Sequence, residues 1–193
     1  MLEQIKTNFN EARKVLDQFE NNPENWVSFE KAGKLMVNAI KSKNFIYSCG
    51  NGGSMCDAMH FAEELSGRFR LDLPAFPAIA ISDPSHMSCV GNDYGFEFVF
   101  SRFLEGTART GDVLLAISTS GNSKNIINAA VTAKIKGMSV VGLTGKNGGA
   151  LASLCDVELR IPDTEFADRV QEMHIKIIHS LIHYIEISLS AVI

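Results

Sequence analysis

The chain has 193 residues, 46% of them hydrophobic, and a formal net charge of −4. That is length enough for one domain with a sizeable core. The mild acidity, with no Lys/Arg cluster to override it, excludes nucleic acid held on a basic surface.

The N-terminal stretch MLEQIKTNFNEARK is amphipathic rather than a signal peptide, and no uninterrupted apolar run approaches membrane-spanning length. A cytoplasmic protein with no membrane contact is therefore expected. The four cysteines (Cys49, Cys56, Cys89, Cys155) include no CxxC pair and read as reduced, mostly buried thiols. Residues 2–20 place Leu2, Ile5, Phe9, Ala12, Leu16 and Phe19 at alternating spacings of three and four, an apolar stripe along one side of a helix. Asn22-Pro23 reads as a cap with proline at the first helical position, opening a second helix to about Ser42 with Trp26, Phe29, Met36 and Ile40 among its apolar residues. Two helices ahead of the first strand cannot both be crossovers, so a partner subunit is their expected surface. Residues 1–42 are read as a helical extension of a single domain spanning 1–193.

Phe45–Cys49 is the first predicted strand. It breaks at Gly50-Asn51-Gly52-Gly53-Ser54, and Ser54 with Asp57 three residues on forms a short capping-box pattern, predicting a helix from Ser54 to about Ser66. The glycines let a ligand approach the backbone, or they make a tight turn and nothing more. The dinucleotide fingerprint is missing, because the third glycine of GxGxxG would fall at Met55. On the predicted helix His60 and Glu64 are four apart and share a face, with Glu63 within reach at three. Taken alone, such a pair is more often a solvated surface pair than a site.

Ala78–Ser82 is the next strand, ending in Asp83-Pro84. Residues 85–109 mix helix and loop, with Asn92-Asp93-Tyr94-Gly95 as a polar turn whose Asn92 and Asp93 suit sugar hydroxyls as well as an ordinary turn. Phe96, Phe98, Phe100 and Phe103 read as core or interface packing, since Arg102 is the one basic residue interleaved with them.

The stretch Asp112–Gly137, DVLLAISTSGNSKNIINAAVTAKIKG, carries the strongest signal. An apolar run (Val113–Ile117) stops at Ser118-Thr119-Ser120-Gly121, and a helix-period segment with Ile126, Ile127, Ala130 and Ala133 follows. A helix opening there points unpaired N–H groups and the positive end of its dipole at the turn, and Ser118, Thr119, Ser120 and Ser123 add hydroxyl donors. One hydroxyl would be a helix cap. Four within six residues, at the carboxyl end of a buried strand, read as a phosphate cradle.

Ser139–Leu143 is a fourth strand, followed by Thr144-Gly145-Lys146-Asn147-Gly148-Gly149, and Val157–Ile161 is a fifth before Pro162. Strands alternating with helical segments indicate an α/β fold, a parallel sheet with helices on both faces. From about Asp168 to Ala191 a long helix is apolar around most of its circumference and so buried on several sides; Gln171, His174, His179 and His183 lie within it.

CGNGGSMCDAMHFAEEL, AISDPSHMSCVGNDYGFEFVFSR, GDVLLAISTSGNS and ADRVQEMHIKIIH together closely resemble the phosphoheptose isomerase family, within the sugar-isomerase (SIS) domain superfamily. The similarity covers essentially everything after the first helix. It implies a five-stranded parallel sheet flanked by helices in a flavodoxin-like three-layer sandwich. It also implies a homotetramer with active sites between subunits, its N-terminal helices and long C-terminal helix serving oligomerisation. The implied activity converts D-sedoheptulose 7-phosphate to D-glycero-D-manno-heptose 7-phosphate through an enediol(ate), opening ADP-heptose synthesis for the lipopolysaccharide core. Carried over residue by residue, Glu64 and His179 are the catalytic pair and Ser118, Thr119, Ser120 and Ser123 hold the phosphate. Asn51, Gly52, Gly53, Ser54, Glu64, Asn92, Asp93, Asp168 and Gln171 contact substrate. His60, Glu64, Gln171 and His179 are the implied ligands of one zinc per subunit, and no nucleotide cofactor is implied.

The chemistry agrees with that assignment. An aldose–ketose isomerase needs a base to move a proton between adjacent carbons, which a carboxylate such as Glu64 provides. It also needs an acid or metal to stabilise the enediolate, which an imidazole such as His179 or a zinc ion provides. Gln171 and His179 are eight apart, about 12 Å of rise on a straight helix. Either the helix starts irregularly or the two residues come from different subunits, and a shared site is the reading preferred here. A non-catalytic sugar-phosphate sensor or replication-initiator-associated adaptor remains the main rival; that branch lacks the glutamate and histidine present here. A nucleotide-dependent oxidoreductase is opposed by the missing glycine. An amidosugar-phosphate isomerase domain would normally sit in a longer chain.

Overall fold

A computed structural model describes residues 1–162 and 164–191. Five strands, β1 (Ile46–Cys49), β2 (Ala78–Ala80), β3 (Val113–Ser118), β4 (Ser139–Thr144) and β5 (Val157–Arg160), form one parallel sheet in the order β2-β1-β3-β4-β5. Every residue of β1 and β3 is buried, which is why these segments read as nearly continuous apolar runs. The pleat sorts β3 between two cores. Val113, Leu115 and Ile117 join Met36, Phe61 and Ile178 on one face, and Leu114 and Ala116 join Phe100, Leu104 and Ile126 on the other.

The first face is covered by α1 (Leu2–Glu20), α2 (Pro23–Lys41), α3 (Gly53–Ser66) and α7 (Ala167–Ser190). The second carries α4 (Pro84–Asp93), α5 (Val99–Thr107) and α6 (Lys124–Ile135). Successive connections leave β1 through α3 on one face and β3 through α6 on the other. The carboxyl ends of these adjacent strands therefore flank a crevice at the point where strand order reverses, the place where open α/β sheets bind ligands.

Most predicted elements stand within a residue or two of their expected limits. Four expectations change. The second helix does find a surface within its own chain: Ala32, Met36, Val37 and Ala39 are buried against the sheet and α7, and the Tyr184 ring lies where a Cβ on Gly33 would be. On these two helices the exposed apolar residues lie on α1 and the start of α2, with Leu2, Phe9, Trp26 and Val27 at 50% exposure or more. The capping box does not form, because Gly52 is the N-cap of α3 in a left-handed conformation (φ +55°) and Ser54 lies inside the helix. β2 ends at Ala80 rather than Ser82. Of the four free thiols only Cys49 is buried; Cys56 and Cys89 fall on the solvent sides of α3 and α4. Among the described residues no helix is long and apolar enough to cross a membrane.

Candidate active site

The hydroxyls after β3 are not consumed in capping. Ser123 is the N-cap of α6, yet its side chain makes no cap bond; Ser118 Oγ and Ser123 Oγ instead lie 3.2 Å apart and hydrogen bond to each other. Ser118 is buried, and Thr119, Ser120 and Ser123 are half-buried at the helix end. Gly121 turns the chain with φ +65°, and a Cβ there would land on the Gly148 carbonyl, so only glycine lets the two loops meet. The loop after β4 braces the turn through Leu151 N–H to Gly121 O (3.0 Å) and Ala150 N–H to Asn122 Oδ1 (3.1 Å). The result is a rigid, hydroxyl-lined helix N-terminus of the kind that receives a phosphate.

The glycine turn after β1 lies beside this cradle, and two amides tie them together. Asn51 Nδ2 donates to Asn125 Oδ1 (2.9 Å) and Asn125 Nδ2 donates back to Asn51 Oδ1 (2.7 Å). Asn125 is 3% exposed and was not singled out in the sequence, where an asparagine in the first turn of a helix carries no distinctive signal. The Asn51 side chain is thus committed to the scaffold. The amide of Gln171, from α7, packs directly on Gly53, where a Cβ would collide with it.

Seven residues farther along α3, about 10 Å by helix rise, a second cluster forms against α7. His60 Nε2 and His179 Nε2 are 2.8 Å apart, and Glu64 Oε1 lies 3.4 Å from the same His60 nitrogen. His60, Glu64 and His179 each offer a ligand atom within 4.8 Å of the others. Glu63 Oε2 sits 3.4 Å from His60 Nδ1, the carboxylate–histidine pairing that fixes a metal-ligating tautomer with its free lone pair on Nε2. Two imidazole nitrogens and a carboxylate oxygen then converge on one spot. That electron-rich trio calls for a proton or a cation between its members, and its donor types and open side suit zinc. Burial holds the His179 pKa below the usual histidine value, and the neighbouring His60 pushes the same way while Glu64 opposes. The His179 ring also stacks on Phe69, with centroids 5.7 Å apart.

The remaining sequence candidates lie elsewhere. Asn92 Nδ2 donates to Asp93 Oδ1 (2.7 Å) at the exposed end of α4. Asp168 is exposed and pairs with Arg169 Nη2 (2.8 Å), whose hydrogen bond holds the carboxyl below the usual range. Arg169, 9% exposed, also reaches Glu172 (2.7 Å) and the Asn8 carbonyl (3.2 Å), pinning α7 to α1. Gln171 packs against Gly53, seven residues and about 10 Å of helix rise from His60 on α3, so one chain does not bring it to the His60–Glu64–His179 cluster.

Comparison with known proteins fits this geometry. The SIS domain family model matches residues 8–145. A phosphoheptose isomerase of Histophilus somni is 56% identical over 191 residues, covering 99% of this chain and 98% of the relative. Among solved structures, a phosphoheptose isomerase from Neisseria gonorrhoeae superposes with a TM-score of 0.87 at 38% identity, covering 96% of this chain and 98% of that one. One from Francisella tularensis gives 0.89 at 34% identity, covering 95% and 97%.

Proposed function

The chain belongs to the phosphoheptose isomerase family of SIS-domain proteins, and on that premise we propose that it converts D-sedoheptulose 7-phosphate to D-glycero-D-manno-heptose 7-phosphate, the opening step of ADP-heptose synthesis for the lipopolysaccharide core. The observation that carries the reading is the convergence of His60, Glu64 and His179 on the helix that the glycine turn opens. The same contact opposes the non-catalytic adaptor, which has no use for it.

The residues divide the work by chemistry. Ser118, Thr119, Ser120 and Ser123, with the N-terminus of α6, hold the phosphate. The 51–54 backbone, Asn92, Asp93, Asp168 and Gln171 take the polyol chain. Glu64 removes a proton from C1 of the ketose and returns it to C2, while O1 loses its proton and O2 gains one, so that atoms balance across the enediol. Neutral His179 presents an N–H for the oxygen on which charge develops. A zinc ion held by His60, Glu64 and His179, with Gln171 of a second copy as a further ligand, would supply a Lewis acid for that oxygen when bound. The exposed apolar stripe of α1 and Trp26 supports a homotetramer, and the absence of a membrane-crossing helix among the described residues is consistent with a cytoplasmic place.

Proton NMR of sedoheptulose 7-phosphate in D₂O tests this. The expected result is an aldoheptose phosphate with deuterium at C2, formed about 10²–10⁴-fold more slowly by Glu64→Gln at little change in KM. Loss of turnover with a chelator, restored by zinc, is the expected result for the metal. A sugar left unchanged by folded, zinc-supplied protein would overturn the isomerase reading.

A further inference from the structure

Glu186 lies on the buried face of α7 and is 3% exposed. A carboxylate at that depth must find donors. Among the described residues it finds two, both from the backbone: the N–H groups of Arg70 (3.1 Å) and Leu71 (3.0 Å) donate to Oε1, while Oε2 has no partner there. Those N–H groups belong to the segment that leaves α3 at Gly67 and crosses α7. Glu186 therefore fixes the chain immediately after Phe69.

Phe69 is the residue whose ring lies on His179, inclined by 27°. Arg70 places its guanidinium carbon 5.2 Å from the Phe69 centroid and brings Nη1 to 3.3 Å from His183 Nδ1. Arginine, phenylalanine and histidine thus form a layered stack whose anchor is Glu186. The terminal torsion of a histidine is soft. Without a neighbour on its face, the His179 ring would turn and carry Nε2 away from His60 and Glu64.

We infer that Glu186 is a positioning residue for His179: through the Arg70–Leu71 backbone it holds Phe69 against the ring and so sets the plane in which Nε2 meets His60 and Glu64. The inference rests on the isomerase reading of His179, and it adds a residue seven positions farther along the same helix that acts on the ring through Phe69.

The test uses the full-length protein with ¹³C at histidine Cε1. The chain has five histidines, so single replacements assign them. The stacked Phe69 ring shifts the His179 signal upfield. Glu186→Ala is expected to relax that shift while His86 and His174 stay put, and to lower kcat about tenfold with KM within about twofold, as displaced catalytic groups do. Phe69→Ala should reproduce both effects, and the double variant should be no worse than Phe69→Ala alone, since the two act along one path. Glu186→Gln, whose Oε1 still accepts both N–H groups, should retain the shift and most of the rate. An unmoved His179 signal in folded Glu186→Ala, or losses that multiply in the double variant, would overturn the inference. Should Glu186→Ala fail to fold, Phe69→Ala decides, an unchanged signal or rate there refuting it. If the wild type leaves sedoheptulose 7-phosphate unchanged, the isomerase reading fails, and the NMR comparison still shows whether Glu186 holds the ring.

Discussion

Two buried groups pull the pH dependence of stability in opposite directions, and replacing each separates them. His174 is fully buried, its Nε2–H donating to the Thr144 carbonyl (3.1 Å) and its Nδ1 without a partner among the described residues. Burial pushes its pKa down to about 4. The unfolded chain takes up that proton near the ordinary histidine value, so between there and about 4 the unfolded state binds more protons and acid destabilises the fold. From about pH 7.5 to about pH 5 the loss is about 2 kcal/mol. Asp57, buried on α3 with Oδ2 unpartnered among the described residues, has its pKa pushed by burial up to about 6, with His60 opposing. Its folded carboxyl takes up a proton before the unfolded one does, so the same acidification favours the fold, by about 1 kcal/mol after allowance for solvent at its rim. The wild type should therefore lose only about 1 kcal/mol from the pair. Asp57→Asn should lose the full amount, and His174→Gln should gain slightly.

Urea unfolding followed by circular dichroism at the two pH values measures this. A chelator is present throughout, and one protein concentration is kept, because an oligomer's apparent stability depends on it. Groups common to all three proteins cancel in the differences. If Asp57→Asn and His174→Gln move the pH difference the same way, or neither moves it, the assignment of these two groups is wrong.

Two substitutions probe the cradle. Gly121→Ala puts a side chain at φ +65° and against the Gly148 carbonyl, so the loops must separate; a cost of about 3 kcal/mol or more and a KM about tenfold higher are expected, read by thermal melts and initial rates. Asn125→Ala strands the Asn51 amide and should cost about 2 kcal/mol, whereas Asn51→Ala/Asn125→Ala together should cost less than the sum, a double-mutant cycle by denaturant unfolding giving the comparison.

How much of this was legible in the sequence follows from the range of each interaction. The strands showed because parallel strands buried on both faces must be Val, Ile and Leu throughout, and the helices because one apolar stripe has a local period. The hydroxyl turn and the His60–Glu64 spacing were visible for the same reason, since each is local. His179 joins His60 across 119 residues, and no local pattern carries that; only the family resemblance supplied it. Glu186, Asn125 and Arg169 went unread because a polar residue in an apolar helix face gives no sign of which distant donor it meets. The capping box failed because a left-handed glycine started the helix earlier than a serine could. The two N-terminal helices were read as one unit, although α2 buries Met36 in the sheet core while α1 keeps Leu2 and Phe9 in solvent.

The position of Gln171 decides a last question, about assembly. α3 and α7 run side by side with Gln171 at Gly53 and His179 at His60, so the eight-residue interval on one helix is matched by seven on the other. α7 is helical from Ala167, which removes an irregular start as a way to bring Gln171 round to the cluster. A glutamine side chain cannot span two turns, about 10 Å. If Gln171 serves the metal or the enediol, it does so for the cluster of a second copy, whereas Glu64 and His179 serve their own. Subunit mixing distinguishes these roles. Equal amounts of Glu64→Ala and Gln171→Ala protein, unfolded and refolded together, should regain activity at about a quarter of sites, those drawing each residue from the intact donor. Glu64→Ala with His179→Ala should regain none, because each chain supplies both residues of its own cluster and every cluster then carries one lesion. Recovery in the second mixture and not the first would show that the catalytic pair is split between subunits and Gln171 is not.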